Sequence, residues 1–202
     1  MVKSTPSDAG PDIGPDAARA ARLIARAVLK GALATNRRAA RDDAQGQPYV
    51  SKVGVAAGAD GAPLFLFSTL AAHTQDLLAD PRASVLLEAP SRADNPLEGA
   101  RCTLVGRMEK VPDSDVHAAR ALYLARHPGA ALYADFGDFA MWRLIVDKVH
   151  YVGGFGRAKW VKGAGYLLHT PDLTQAEGRI LKTVNAAALQ ALMLFVLAWL
   201  AG

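Results

Sequence analysis

The densest group of chemically capable residues is Ser68-Thr69-Leu70-Ala71-Ala72-His73-Thr74-Gln75, where three hydroxyls and an imidazole fall together. The group lies between a strand-like apolar run, Pro63 to Ser68, and a short helical stretch, Leu70 to Leu78. At a helix start the first N–H groups lack intrahelical acceptors and the dipole is positive. Hydroxyls beside such N–H groups suit an anion, and a phosphate fits well. A simpler use is equally open, in which Ser68 or Thr69 only caps the helix.

Other reactive types are sparse. The single cysteine, Cys102, has no partner for a disulfide and no neighbours at metal-ligand spacing, so the sequence points to neither an oxidising compartment nor a zinc site. The run GGFGRA at 153–158 follows a strand, but no helix of proper length follows it, so it is not a dinucleotide fingerprint. Arg37, Arg38 and Arg41 cluster, yet Asp42 and Asp43 follow directly, and the mixture reads as a solvated hairpin tip. The net charge is +4, from 23 basic and 19 acidic residues, with no basic face of the kind that binds nucleic acid.

The elements that must position the 68–75 group come mostly in hairpin-connected runs. Asp16 is placed to cap a helix to about Lys30, with Leu23, Ala27 and Lys30 at helical spacing and Gly31 as its stop. Strands are expected over 31–36, 48–58, 63–68, 83–88 and 101–111. Asp60-Gly61 is a strong hairpin signal. Asp113 opens a helix to Arg126, which Pro128-Gly129 ends. Two more strands, 139–146 and 150–155, are expected around a turn at Asp147-Lys148. Many strands and few helices argue for an antiparallel barrel rather than a parallel α/β sheet. The opening residues, 1–17, read as a disordered lead. From Pro171 the chain reads as helix, opening on the cap-like Thr174-Gln175-Ala176-Glu177. Between Ala186 and Gly202 only Gln190 is polar, and a helix packed on a partner subunit is expected there rather than a membrane anchor.

PYVSKVGVA at 48–56, LFLFSTLAAHTQDLLADPRASVLL at 64–87, ARCTLVGRMEKV at 100–111 and YADFGDFAMWRLIVDKVHYVGGFGRAKW at 133–160 resemble the pyridoxamine 5'-phosphate oxidase-like FMN-binding split barrels. The nearest resemblance is to the haem-utilisation, HugZ-type branch. It implies a mainly β (α+β) fold: an antiparallel split β-barrel with peripheral helices, over 18–165, working as a cytoplasmic homodimer. It implies FMN at the subunit interface. Val50 and Ser51 would line the isoalloxazine ring. Ser68, Thr69 and Thr74 would hold the phosphate with His73 beside it. Arg101 and Trp160 would reach the flavin from the other subunit. Many members carry a Lys or Arg near the phosphate where this chain has Thr74-Gln75, which leaves charge neutralisation to N–H groups, His73 and Arg82. Residues 166–202 resemble only the start of the second module of the haem branch.

Haem is the rival ligand and needs an axial ligand, commonly His. The five histidines are His73, His117, His127, His150 and His169. His117 and His127 fall in or beside a surface helix and read as structural, and His150 as a barrel residue. The resemblance places an axial His near His169, with Asp138 to hydrogen-bond it. Three functions follow as expectations: an FMN-dependent oxidoreductase acting on a small aromatic or heterocyclic substrate, a haem-binding or haem-degrading protein, or a non-catalytic flavin-binding dimer. The residues nominate no general acid or base.

Overall fold

The computed structural model describes residues 14–38, 46–90, 95–154 and 156–168, and beyond them residues 183, 185–187 and 190. Residues 1–168 form one unit and 169–202 a second. In the second, the described residues are helical and exposed. His169, the Thr174 to Glu177 cap and most of the apolar run after Ala186 lie outside the described residues, as do Arg41, Asp42 and Asp43.

In the first unit the strands are β1 (Lys30–Asn36), β2 (Pro48–Gly54), β3 (Ala56–Ala57), β4 (Pro63–Ser68), β5 (Arg82–Glu88), β6 (Arg101–Lys110), β7 (Phe139–Val152) and β8 (Ala158–Lys162). The helices are α1 (Gly14–Ala27), α2 (Ala72–Ala79), α3 (Asp113–Arg126) and α4 (Gly163–Tyr166). All pairings are antiparallel, in the order β2-β1-β5-β6-β7-β4-β3, with β8 also on β7. The sheet curls into a half-barrel, the split-barrel fold that the sequence implies.

Period-2 alternation sets the inner face. Val85 and Leu87 of β5 and Cys102 and Leu104 of β6 are fully buried, while their sequence neighbours are not. They pack with Leu33, Phe65, Phe67, Trp142, Leu144 and Val149. Each such side chain contributes about 1.5–3 kcal/mol relative to exposure. α1 fills the open side with Ala21, Ile24, Ala25 and Val28. That stripe is not the expected one: Leu23 is 56% exposed, and the buried face is rotated one residue to Ile24. The alanines explain the choice, because small side chains let a helix approach the sheet closely. The described helix runs Gly14–Ala27, so Asp16 falls within it, and Lys30 is already in β1.

β4 is buried on both faces. Phe65 and Phe67 point into the barrel, while Leu64 and Leu66 meet Ala119 and Tyr123 of α3. Three local expectations are corrected. The 48–58 strand breaks at Val55, whose N–H goes to Leu29 O (3.0 Å). The turn at Asp147-Lys148 is absent: β7 runs unbroken through it, and the register against β6 shifts between Val105 and Gly106, which leaves Asp147 as a bulge. Residues 158–162 form β8, which carries Trp160.

The Asp60-Gly61 turn is present as expected, with Gly61 at φ +91°. The Tyr166 hydroxyl donates to Gly61 O (2.8 Å), and burial pushes its pKa well up.

Candidate functional site

Where β4 ends, the chain makes a tight turn before α2. The Ser68 hydroxyl donates to the Asp138 carboxylate (2.5 Å) and accepts from the Leu70 N–H (3.0 Å). Thr69 N–H donates to Asp138 O (2.8 Å), and Gln75 Nε2 donates to Thr69 O (2.5 Å). Neither Ser68 nor Thr69 caps the helix: the N-cap is Ala71, with no side-chain cap bond. Thr74 and Gln75 N–H both go to Ala71 O (3.0 and 3.1 Å). Ala72 and His73 therefore open the helix with N–H groups that lack an intrahelical acceptor.

Thr74 is fully buried in this first turn, and its hydroxyl has no hydrogen-bond partner. Such a group costs about 1–3 kcal/mol when left unpaired. An anion at the α2 start would supply the missing acceptor, so the donor set fits a phosphate. The His73 ring stands edge-on to Phe67, with centroids 4.6 Å apart. Burial lowers its pKa below the usual imidazole value, against a smaller opposing pull from Asp76.

Two carboxylates that the sequence reading passed over fix α2 to the barrel. Asp76 is fully buried and accepts from the Thr35 hydroxyl (3.3 Å), Arg37 Nη1 (3.4 Å) and Arg38 N–H (3.1 Å). Asp80 accepts from Asn36 Nδ2 (2.9 Å) and from the Arg82 guanidinium at 2.6–3.1 Å. The Arg82 and Asn36 hydrogen bonds hold the Asp80 carboxyl well below the usual range.

This corrects two expectations. Arg37 is not a free solvated charge but pairs with Asp76, whereas Arg38 is exposed and gives Asp76 only its backbone N–H, and the Arg82 charge is matched by Asp80. An Asp between His73 and Leu77 reads as solvent-facing in a single helix; only the end of β1 turns that face inward.

The expected ring-lining residues lie close by in topology. Arg37 also covers the Tyr49 ring (5.1 Å), next to Val50 and Ser51 on the edge strand β2. Alternation sends Val50 and Ser51 to opposite faces, and Val50 is 62% exposed. Arg101 and Trp160 lie elsewhere. Ser68 pairs with Phe139, the first residue of β7, whereas Arg101 pairs with Val152, its last. That is about 40 Å of strand contour. Trp160 pairs with His150, stacks on it at 4.6 Å and lies under Lys148 Nζ (5.0 Å). Arg101 Nη1 donates to Leu97 O (3.0 Å) and Gly99 O (3.2 Å). One chain thus gathers Ser68, Thr69, His73 and Thr74 at one end of the sheet, with Arg101 and Trp160 at the other.

Of the remaining histidines, His117 is exposed on α3. His127 meets Val55 O through Nε2 (2.9 Å) and packs on Tyr123. Asp138, expected beside His169, has its carboxylate engaged by Ser68.

Comparison with known proteins agrees with this architecture. Over 133 residues the chain is 39% identical to the chloroplastic haem oxygenase HOZ of Arabidopsis thaliana, covering 66% of this chain and 40% of HOZ. It is 33% identical over 180 residues to protein CREG2 of Mus musculus, covering 83% of this chain and 61% of CREG2. The chain thus spans less than two thirds of either curated relative. A heme binding protein from Mycobacterium smegmatis superposes with a TM-score of 0.69 at 36% identity, over 82% of this chain and 61% of that one. The family model described as CREG, beta-barrel, matches residues 14–168. With its curled antiparallel sheet, and with the family model matched across residues 14–168, the chain belongs to the CREG β-barrel family, within the FMN-binding split-barrel superfamily.

Proposed function

We propose that the protein binds FMN in a site shared by two copies of the chain, as an oxidoreductase for a small aromatic or heterocyclic substrate. The buried, unpartnered Thr74 hydroxyl carries this reading. It stands in the first turn of α2 with the free N–H groups of Ala72 and His73, where a phosphate satisfies all three. Ser68 and Thr69 shape the turn through Asp138, and Val50 and Ser51 flank the ring. FMN, when bound, supplies one- or two-electron transfer; the protein orients it and excludes water.

Arg101 and Trp160 enter from the second copy, since one chain holds them at the far end of β7. The outer sheet face supports a homodimer. Ala32, Ala34, Ser84, Leu86, Thr103 and Val105 share that face by register and are half-buried. A sheet face meant for water carries charge there, whereas small and apolar residues suit another protein surface. A cytoplasmic setting is part of this proposal; Cys102 is enclosed, and burial pushes its thiol up to about 12. Among the described residues no helix is long and apolar enough to cross a membrane.

Haem is a second reading, favoured by the haem oxygenase and the heme binding protein among the relatives. In that case His169 is the proposed axial ligand, and FMN gives way to haem. Titrating the purified protein with FMN and, separately, with haemin decides between them. Flavin bands retained through gel filtration are the expected result. A Soret band with no flavin retention overturns the FMN reading. Under the haem reading His169→Ala shifts or removes the Soret band and His117→Ala leaves it intact; equal spectra from both variants exclude His169.

A further inference from the structure

We propose that Asp76 and Arg37 are a positioning pair that sets the phosphate end of the cofactor site against its ring end. The inference rests on the FMN reading. Asp76 stands three and four residues beyond His73 and Ala72, so it lies on the side of α2 below their free N–H groups. Its carboxylate is wholly enclosed, and its three hydrogen bonds all come from residues 35–38 at the end of β1.

A carboxylate one turn from a phosphate repels it unless its charge is cancelled. Arg37 does this at 3.4 Å, with its side chain 24% exposed. The same guanidinium lies over Tyr49, and Tyr49 precedes Val50 and Ser51. One continuous set of contacts therefore runs from the first turn of α2 through Asp76 and Arg37 to the strand assigned to the flavin ring. A buried charge pair is seldom the most stable solution, and an apolar pair of the same size would hold α2 at least as firmly. What the pair adds is a fixed geometry and a neutral floor beneath the phosphate.

FMN uses both ends of such a site, whereas riboflavin, which lacks the phosphate, uses only the ring end. Asp76→Asn and Arg37→Gln are titrated with each, alongside the parent and Asp80→Asn. Asp80→Asn weakens the other tie between α2 and β1, at Asn36, without touching Asp76. Arg37→Gln leaves the Asp76 charge uncancelled beneath the phosphate and is expected to lose about tenfold in FMN affinity, the size of one charge-assisted hydrogen bond, whereas Asp76→Asn removes the repelling charge and is expected to shift FMN affinity the other way. Their riboflavin affinity should stay within about twofold, and Asp80→Asn should keep the parental ratio of the two affinities. If Asp76→Asn does not fold, Arg37→Gln carries the test, since it removes a partly exposed side chain and leaves Asp76 its Thr35 and Arg38 bonds. An unchanged FMN-to-riboflavin ratio in the folded variants overturns the pair's role, as does an equal loss of both ligands. If the parent binds neither flavin, the FMN reading itself fails and takes this role with it. If the parent binds both equally, it is the phosphate site that fails.

Discussion

Thr74→Val is expected to stabilise the ligand-free protein and weaken FMN binding at the same time. The Thr74 hydroxyl is buried without a partner, so the empty protein carries its desolvation cost. Valine keeps the shape and removes that cost, which is worth about 1 kcal/mol or a little more. For a unit of this size that raises the melting temperature by about 2–4 °C. With FMN present the sign reverses. Losing one charge-assisted hydrogen bond to a phosphate costs roughly 1.5–3 kcal/mol, or about 10- to 150-fold in affinity. Ser68→Ala gives the contrast, because its hydroxyl joins Asp138 to the Leu70 N–H and acts on the turn. It should lower the melting temperature first and affinity second. Thermal melts with and without FMN, plus a titration, read all of this. A destabilised Thr74→Val protein with parental FMN affinity would show that the phosphate binds elsewhere.

Gly106→Ala is expected to prevent folding or to lower the melting temperature severely. A Cβ at Gly106 would lie 1.9 Å from Ile145 O and 2.9 Å from Ile145 C, both backbone atoms of β7 that no rotamer change can move. The approach is close because the Asp147 bulge presses β7 onto β6 at the register shift. Relieving the clash means breaking the longest pairing in the sheet. The cost is about 3 kcal/mol or more, against a total stability of about 5–15 kcal/mol. That corresponds to a fall of about 6–12 °C or more. Gly129→Ala is the control, since a Cβ there meets nothing within 4 Å. It should change stability by no more than about 0.5 kcal/mol. A Gly106→Ala protein that melts like the parent would mean the bulge is not placed as described.

Both variants turn on features with different legibility in the sequence. The 68–75 group is local: a strand, a turn and a helix start are contiguous, and hydroxyls beside free N–H groups identify themselves by order alone. Gly106 is not local. Nothing around it marks a bulge, and the Asp147-Lys148 pair reads as a turn until a partner strand holds β7 straight through it. α1 shows the same limit, since several apolar stripes fit its sequence and only the space under the sheet selects Ile24 over Leu23.

The antiparallel split-barrel class, the family and the strand–turn–helix order at the β4–α2 junction are legible in the chain alone, because each rests on short-range order: alternation along strands, turn residues between them, and motifs at set spacing. The fold settles which groups remain available. Ser68 is bound by Asp138, Arg82 by Asp80 and Arg37 by Asp76, so that among the described residues Thr74 alone keeps a buried, unanswered hydroxyl. It also decided that Arg101 and Trp160 stand a whole strand away from Thr74. Such facts depend on pairings between residues far apart in the chain, and the register of the curled sheet sets those.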